Sequence, residues 1–357
     1  MNVWCHLLRI RESSPASQSS RFWLWVASLW LLGGGTAMAQ VDRVYLLDGK
    51  PISGTVETVT KDGIVMRVGS NTQNIPEGDI EKINLQGDPS ALTKGREFAV
   101  SGEYEQAVEE LRKVKVSDLQ REAAKAEVAY YLLLCQAKSA LAGRGDKAAA
   151  ATAAFGFLRT YPDSWHHYGV QKLTGDLALA LNRHDQAIEI YGKLRSSPSV
   201  NTKIESVYLT AVALLAKGDI ANAQKMFDQV IAVKVQSASS LRLQALAKAG
   251  KAVAMARNEQ ADQGLAMVDG LISELTPTDV EMGARIYNAQ GASYEAKGDA
   301  EGAILAYLHT HLMFSGQSDA HAESLVRLAE LWTKIGNPQR AAEAKQELQE
   351  RYPGFGR

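Results

Sequence analysis

The feature that most limits how this chain can fold is the stretch from Ala284 to Thr310, which reads as two amphipathic helices joined at Gly298-Asp299. Tyr287, Gly291 and Tyr294 share one helical face, so the glycine lets a second helix approach closely while the rings fill the gaps beside it. Gly298 tolerates the left-handed backbone that ends a helix, and Asp299 is a good cap for the next one. Ala303 and Tyr307 form the facing stripe of the second helix. One such hairpin cannot bury its apolar side alone, so stacked copies are expected.

Copies recur through most of the chain. The small residue of the first helix returns as Gly95, Gly175, Ala211, Ala252 and Ala329, and the bulky residue one turn later as Phe98, Leu214, Met255 and Trp332. The small residue of the second helix returns as Ala107, Ala148, Ala187, Ala223, Gly264 and Ala341. Turns follow at Gly102-Glu103, Gly218-Asp219 and Gly336-Asn337, with Asn182-Arg183 a looser version. In these residues the chain resembles the tetratricopeptide repeat family. The resemblance implies a mainly helical solenoid of about seven hairpins over residues 89–357. Ala187 to Ala223 is close to the family's period of about 34 residues, while other intervals are nearer to ~40, so several helices or loops must be longer than usual. The second copy loses register between Cys135 and Ala154, and Ala178 is undersized at a bulky position.

Ahead of the repeats, the period changes. Val44–Leu47, Ile52–Val59, Ile64–Val68, Thr72–Ile75 and Ile80–Leu85 are short β-branched runs separated by turn signals such as Asp48-Gly49 and Asp62-Gly63. They predict a small antiparallel β barrel over residues 40–88, similar in architecture to the SH3-like or Sm-like class. Tyr45 is the only aromatic residue among the strands, too few for a polyproline groove, so capping the first repeat or docking to an assembly is the expected role. Asp88-Pro89-Ser90 forms the junction, with Asp88 or Ser90 expected to cap the first helix.

Residues 1–39 read as a signal peptide. Arg9, Arg11 and Arg21 precede the apolar run Phe22–Leu32, and Ala37-Met38-Ala39 offers small residues at the positions a signal peptidase reads. That run is too short to span a bilayer, which takes about 20 residues, so cleavage after Ala39 and no stable membrane span are expected. Without the leader's three arginines and one glutamate the chain holds 36 basic and 39 acidic residues, a balance that gives no reason to bind nucleic acid. Export to a bacterial periplasm or cell envelope follows. Cys5 lies in the leader, leaving Cys135 alone, behind an apolar run and read as buried filler.

Chemistry is sparse. His309 and His311 are two apart and point to different sides of a helix, and His166-His167 has no better spacing for a metal. Gly143-Arg144-Gly145 lacks the strand and the Lys-Ser/Thr ending of a phosphate loop. Glu109, Glu110, Glu343, Glu347 and Glu350 read as solvated helix faces. No catalytic set, cofactor or metal is called for, and the chain reads as a non-enzymatic scaffold or adaptor.

Stacked hairpins leave their first helices lining a groove. The family resemblance places groove-facing positions of repeats four and five at Tyr208, Val212, Leu215, Leu246 and Val253, a surface suited to an amphipathic helix or extended peptide. Asp176, Glu205, Glu295, Glu323 and Glu330 on the corresponding faces disfavour the family's clamp for a C-terminal carboxylate. A protein or peptide partner in the exported compartment is therefore expected. Two alternatives stay open: self-assembly of an envelope protein through the β segment, and a ligand-binding or hydrolytic site between the β segment and the first repeats.

Overall fold

Between Asp42 and Asn84 the β-branched residues form five antiparallel strands in the computed structural model: β1 (Asp42–Leu46), β2 (Pro51–Thr60), β3 (Gly63–Val68), β4 (Asn71–Pro76) and β5 (Ile80–Asn84). The structure describes residues 41–353 apart from 48, 236 and 277, together with 355; the leader expected over residues 1–39 lies outside them. The ten-residue β2 serves two ladders, with Asp42 opposite Gly54 in β1 and Thr60 opposite Gly63 in β3. A register shift between Val56 and Thr58 separates the halves.

Strand order is β4-β3-β2-β1-β5 and the edges β4 and β5 do not pair, so the expected barrel is instead an open sheet. The reason lies in β4 and the turn after it. Asn71 to Asn74 are exposed, giving β4 little apolar face with which to close. Pro76 has no amide hydrogen to donate, and the next residues, Glu77–Asp79, make a single 3-10 turn that docks on a helix.

Fourteen α-helices follow among the described residues, as seven consecutive hairpins: α1 (Ser90–Val100) with α2 (Tyr104–Leu111), α3 (Glu122–Leu141) with α4 (Lys147–Thr160), and α5 (His167–Ala180) with α6 (His184–Lys193). The fourth and fifth are α7 (Val200–Lys217) with α8 (Ile220–Ile231), and α9 (Ala238–Arg257) with α10 (Ala261–Glu274). The last two are α11 (Val280–Ala296) with α12 (Ala300–Met313), and α13 (Ser318–Lys334) with α14 (Pro338–Arg351). In the α11–α12 hairpin Gly298 has φ +79°, and Asp299 accepts from Gly302 N at 2.8 Å, as the sequence predicts. A Cβ on Gly291 would fall 2.6 Å from the Tyr307 ring, which is why this position is small. The Tyr307 hydroxyl then donates to Glu295 at 2.6 Å, and Tyr191 does the same to Asp176 across Gly175 at 2.7 Å. These two hairpins thus each lock a buried ring against a glycine and satisfy its hydroxyl with a carboxylate.

Sheet and first repeats share one apolar core, in which Val44, Ile64, Met66 and Ile83 meet Leu92, Leu111, Val128 and Tyr131. Polar links reinforce it. Buried Asp42 accepts from Val56 N, Gln86 N and Arg121 Nη1, each at 2.7 Å. Asp88 does not cap α1; it accepts from Leu85 N at 3.0 Å and pairs with Arg96 at 2.9 Å, while Pro89 occupies the cap position.

Candidate functional site

The apolar stripe of repeats four and five falls mostly inside the solenoid. Tyr208, Leu215 and Leu246 are buried, and Val212 and Val253 are half-buried against the same cluster, which Met282 of α11 also joins. The structure does bring the five together, but their contacts are internal and three of them have almost no surface for a partner. Burial raises the Tyr208 phenol to about 12.

The accessible part of the first helices is a run of paired charges. Lys172 of α5 pairs with Glu205 of α7. Arg242 of α9 reaches Asp279, ahead of α11, at 2.6 Å and Glu281 at 2.7 Å, and Arg285 of α11 pairs with Asp319 of α13. These pairs bridge one repeat to the next. A carboxylate clamp would need free cations here, and both Lys172 and Arg285 are engaged.

An open concavity lies instead where the sheet meets the repeats. A cleft of about 240 Å³ is walled by Glu77, Gly78 and Glu81 from the sheet side, Tyr130 of α3, Trp165 and His166 before α5, Tyr168 and Lys172 on α5, and Glu205 on α7. Three contacts set its width. The Glu77 carboxylate accepts from Ser197 Oγ at 2.5 Å and Thr202 Oγ1 at 3.0 Å, and Tyr168 donates to Asp62 at 3.1 Å. Gly78 lies so close to Ser199 that a Cβ would meet its Oγ at 2.2 Å.

The aromatic wall is fixed from behind. The rings of Tyr130 and His166 stack with centroids 3.4 Å apart, and Trp165 lies 3.8 Å from His166. Buried Glu127 takes a hydrogen bond from Trp165 Nε1 at 2.9 Å, pairs with His166 Nε2 at 2.7 Å, and takes another from Arg96 Nε at 3.2 Å. Burial acts to raise its pKa, yet these neighbours hold it below the ordinary carboxylate value. Burial depresses His166 despite Glu127, so the neutral ring donates Nε2–H to the carboxylate. Among the described residues no hydroxyl or thiol hydrogen-bonds this ring, and the His166–Glu127 pair orients the wall.

Glu77, Glu81 and Glu205 outnumber Lys172 in the lining, and the second Glu77 oxygen, Oε2, is buried with no hydrogen-bond partner. Carboxylates beside aromatic faces favour a cation. Sequence reading left open a ligand site between the β segment and the first repeats but named none of its residues, because the walls come from elements far apart. The signal available was the aromatic run Trp165-His166-His167-Tyr168, in which the histidines read as surface or half-buried; His166 is in fact fully enclosed.

The fold is a solenoid of helix hairpins like that of tetratricopeptide repeat proteins, with an open β sheet packed on its first hairpins. The family model described as tetratricopeptide repeat matches residues 323–354, the last hairpin. Among solved structures, the chain is similar to a tetratricopeptide repeat protein from Parabacteroides merdae at 16% identity and a TM-score of 0.51, covering 75% of this chain and 93% of that one. This likeness concerns the fold. Weaker matches include PilW, a type IV pilus biogenesis factor, at 14% identity and a TM-score of 0.41 over 65% and 95% of the two chains. The Rap conjugation gene regulator of plasmid pLS20 with its Phr* peptide matches at 12% identity and a TM-score of 0.42 over 75% and 97%. No curated protein matches the sequence.

Proposed function

We propose that the chain is an exported, non-enzymatic scaffold that holds a protein or peptide partner and takes a basic side chain of that partner into the cleft between sheet and repeats. The observation that carries this reading is the cleft lining, which Glu77, Glu81 and Glu205 share with the rings of Tyr130, Trp165 and Tyr168. A lysine or arginine stem would lie along the rings and its charge would meet the acids. The repeat fold supports partner binding, because stacked hairpins build extended recognition surfaces. Export rests on the leader sequence, and among the described residues no helix is long and apolar enough to cross a membrane.

The test is capture of partners from the exported compartment by residues 40–357, comparing the native chain with Glu205→Lys and Trp165→Leu. A partner lost with both variants and competed by a lysine-rich peptide supports the reading. Retention of every partner by both variants sinks it.

A second reading, self-assembly through the sheet, is favoured by the free edge β4, whose Asn71 to Asn74 are exposed. Size-exclusion with light scattering decides it: a monomer across the micromolar range removes it.

A further inference from the structure

His311 on α12, His321 on α13 and Glu347 on α14 are the residues in question, and the fold brings them together at the last two hairpins. In the sequence His311 looked unsuited to a metal because its neighbour His309 lies two positions away, and Glu347 read as one of several solvated acids. Stacking the hairpins replaces that local spacing with a tertiary one. One ligand atom from each residue lies within 4.8 Å of the others. His311 Nδ1 is 2.8 Å from His321 Nε2, and Glu347 Oε2 and Oε1 are 3.8 Å and 3.9 Å from the Nε2 atoms of His311 and His321.

We infer that His311, His321 and Glu347 form a binding site for a divalent transition-metal ion of the zinc type. Two imidazoles and one carboxylate suit such an ion, whereas calcium and magnesium favour all-oxygen sets. Bonds of about 2.0–2.1 Å place tetrahedral ligand atoms about 3.3 Å apart, so ligand atoms now within 4.8 Å of one another need to draw in by at most roughly 1.5 Å. The two with room to move are the outer ones: the side chains of His311 and Glu347 are 22% and 32% exposed, against 0% for His321.

The surroundings are those of a ligating histidine. His321 Nδ1 lies 2.7 Å from the Tyr352 hydroxyl, and with that hydrogen bond donated by Nδ1–H the Nε2 lone pair faces His311 and Glu347. Arg351 Nη1 bonds Glu347 Oε1 at 3.0 Å, which steadies the carboxylate and leaves Oε2 toward His311. In the metal-free form His311 Nδ1–H donates to His321 Nε2; when the ion takes both nitrogens that hydrogen moves to His311 Nε2, so both imidazoles stay neutral. Three protein ligands leave a fourth position for water or for a ligand from another molecule. The ion would tie α12, α13 and α14 together at the final repeat.

The experiment uses tag-free residues 40–357 stripped with chelator, titrated with Zn²⁺, Co²⁺, Ca²⁺ and Mg²⁺ by calorimetry and, for Co²⁺, by visible absorption. One Zn²⁺ per chain, a tetrahedral Co²⁺ spectrum and no competition from Ca²⁺ or Mg²⁺ are expected. His311→Ala and Glu347→Gln, both at half-buried positions and checked for fold by circular dichroism, should each weaken Zn²⁺ by tenfold or more. Tyr352→Phe should weaken it by roughly tenfold through loss of the oriented His321. His309→Ala should change nothing. Zn²⁺ affinity unchanged in the His311 and Glu347 variants, equal affinity for Ca²⁺, or no Zn²⁺ bound at 100 µM each overturns the assignment.

Discussion

Arg96 and Glu127, 31 residues apart, meet at 3.2 Å with both side chains closed off from solvent. Arg96 also holds Asp88, so one guanidinium balances two buried carboxylates at the seam between the sheet and the first two hairpins. Removing it leaves those charges without compensation. Arg96→Met should lower stability by about 3–5 kcal/mol, read from urea unfolding. Adding Glu127→Gln to that variant should recover part of the loss. A double variant less stable than the single one would show that the cost lies in packing.

The charged run along the first helices makes the solenoid sensitive to acid. Burial acts to raise the pKa values of Asp279, Glu281 and Asp319, but Arg242 beside the first two and Arg285 beside the third hold all three below ordinary values. A depressed carboxylate contributes stability that is complete above its unfolded pKa of about 4 and is lost as pH falls through the lower folded value. Urea midpoints measured from pH 7 to pH 2.5 should therefore hold level near neutrality and drop below about pH 4. Arg285→Gln should shrink the drop; an unchanged profile would remove Asp319 as its source.

Gly78 tests how the sheet is held. Its missing side chain lets the turn approach Ser199 and Thr202, and any Cβ would collide with both. Gly78→Val should cost roughly 1–3 kcal/mol as an overpacked contact and expose the turn to limited proteolysis. Cleavage confined to the same sites as in the native chain would contradict this.

Cys135 is buried in the core shared by sheet and helices, and burial pushes its thiol up to about 11. At pH 8 the native protein should react with a disulfide reagent at least about a hundredfold more slowly than the urea-unfolded chain. Rapid labelling of the native chain would mean the core opens readily.

What the sequence showed plainly was local. The hairpin at Ala284–Thr310 and its glycine-ring contact follow from spacing, capping and turn residues within thirty positions, and the strands from β-branched runs between tight turns. Tertiary covering was not legible. The family resemblance put Tyr208, Leu215 and Leu246 at groove-facing positions but said nothing of what lies over them, and Met282 arrives from a different repeat. Likewise Pro76 and the polar β4 were visible, yet a free turn docking on α7 in place of barrel closure depends on Ser197 and Thr202, more than a hundred residues on. His321 drew no attention because its partners lie ten, twenty-six and thirty-one positions away.

The links from the sheet to later helices span 106 residues at Asp62–Tyr168 and 120 at Glu77–Ser197. A stacked-hairpin array ordinarily melts like a zipper, since each unit touches only its neighbours. Here the first four hairpins are laced to a common brace, so they should open as one block while the hairpins beyond α8 fray singly. Any pull or protease acting on this chain would then meet a stiff amino-terminal half and a pliant tail.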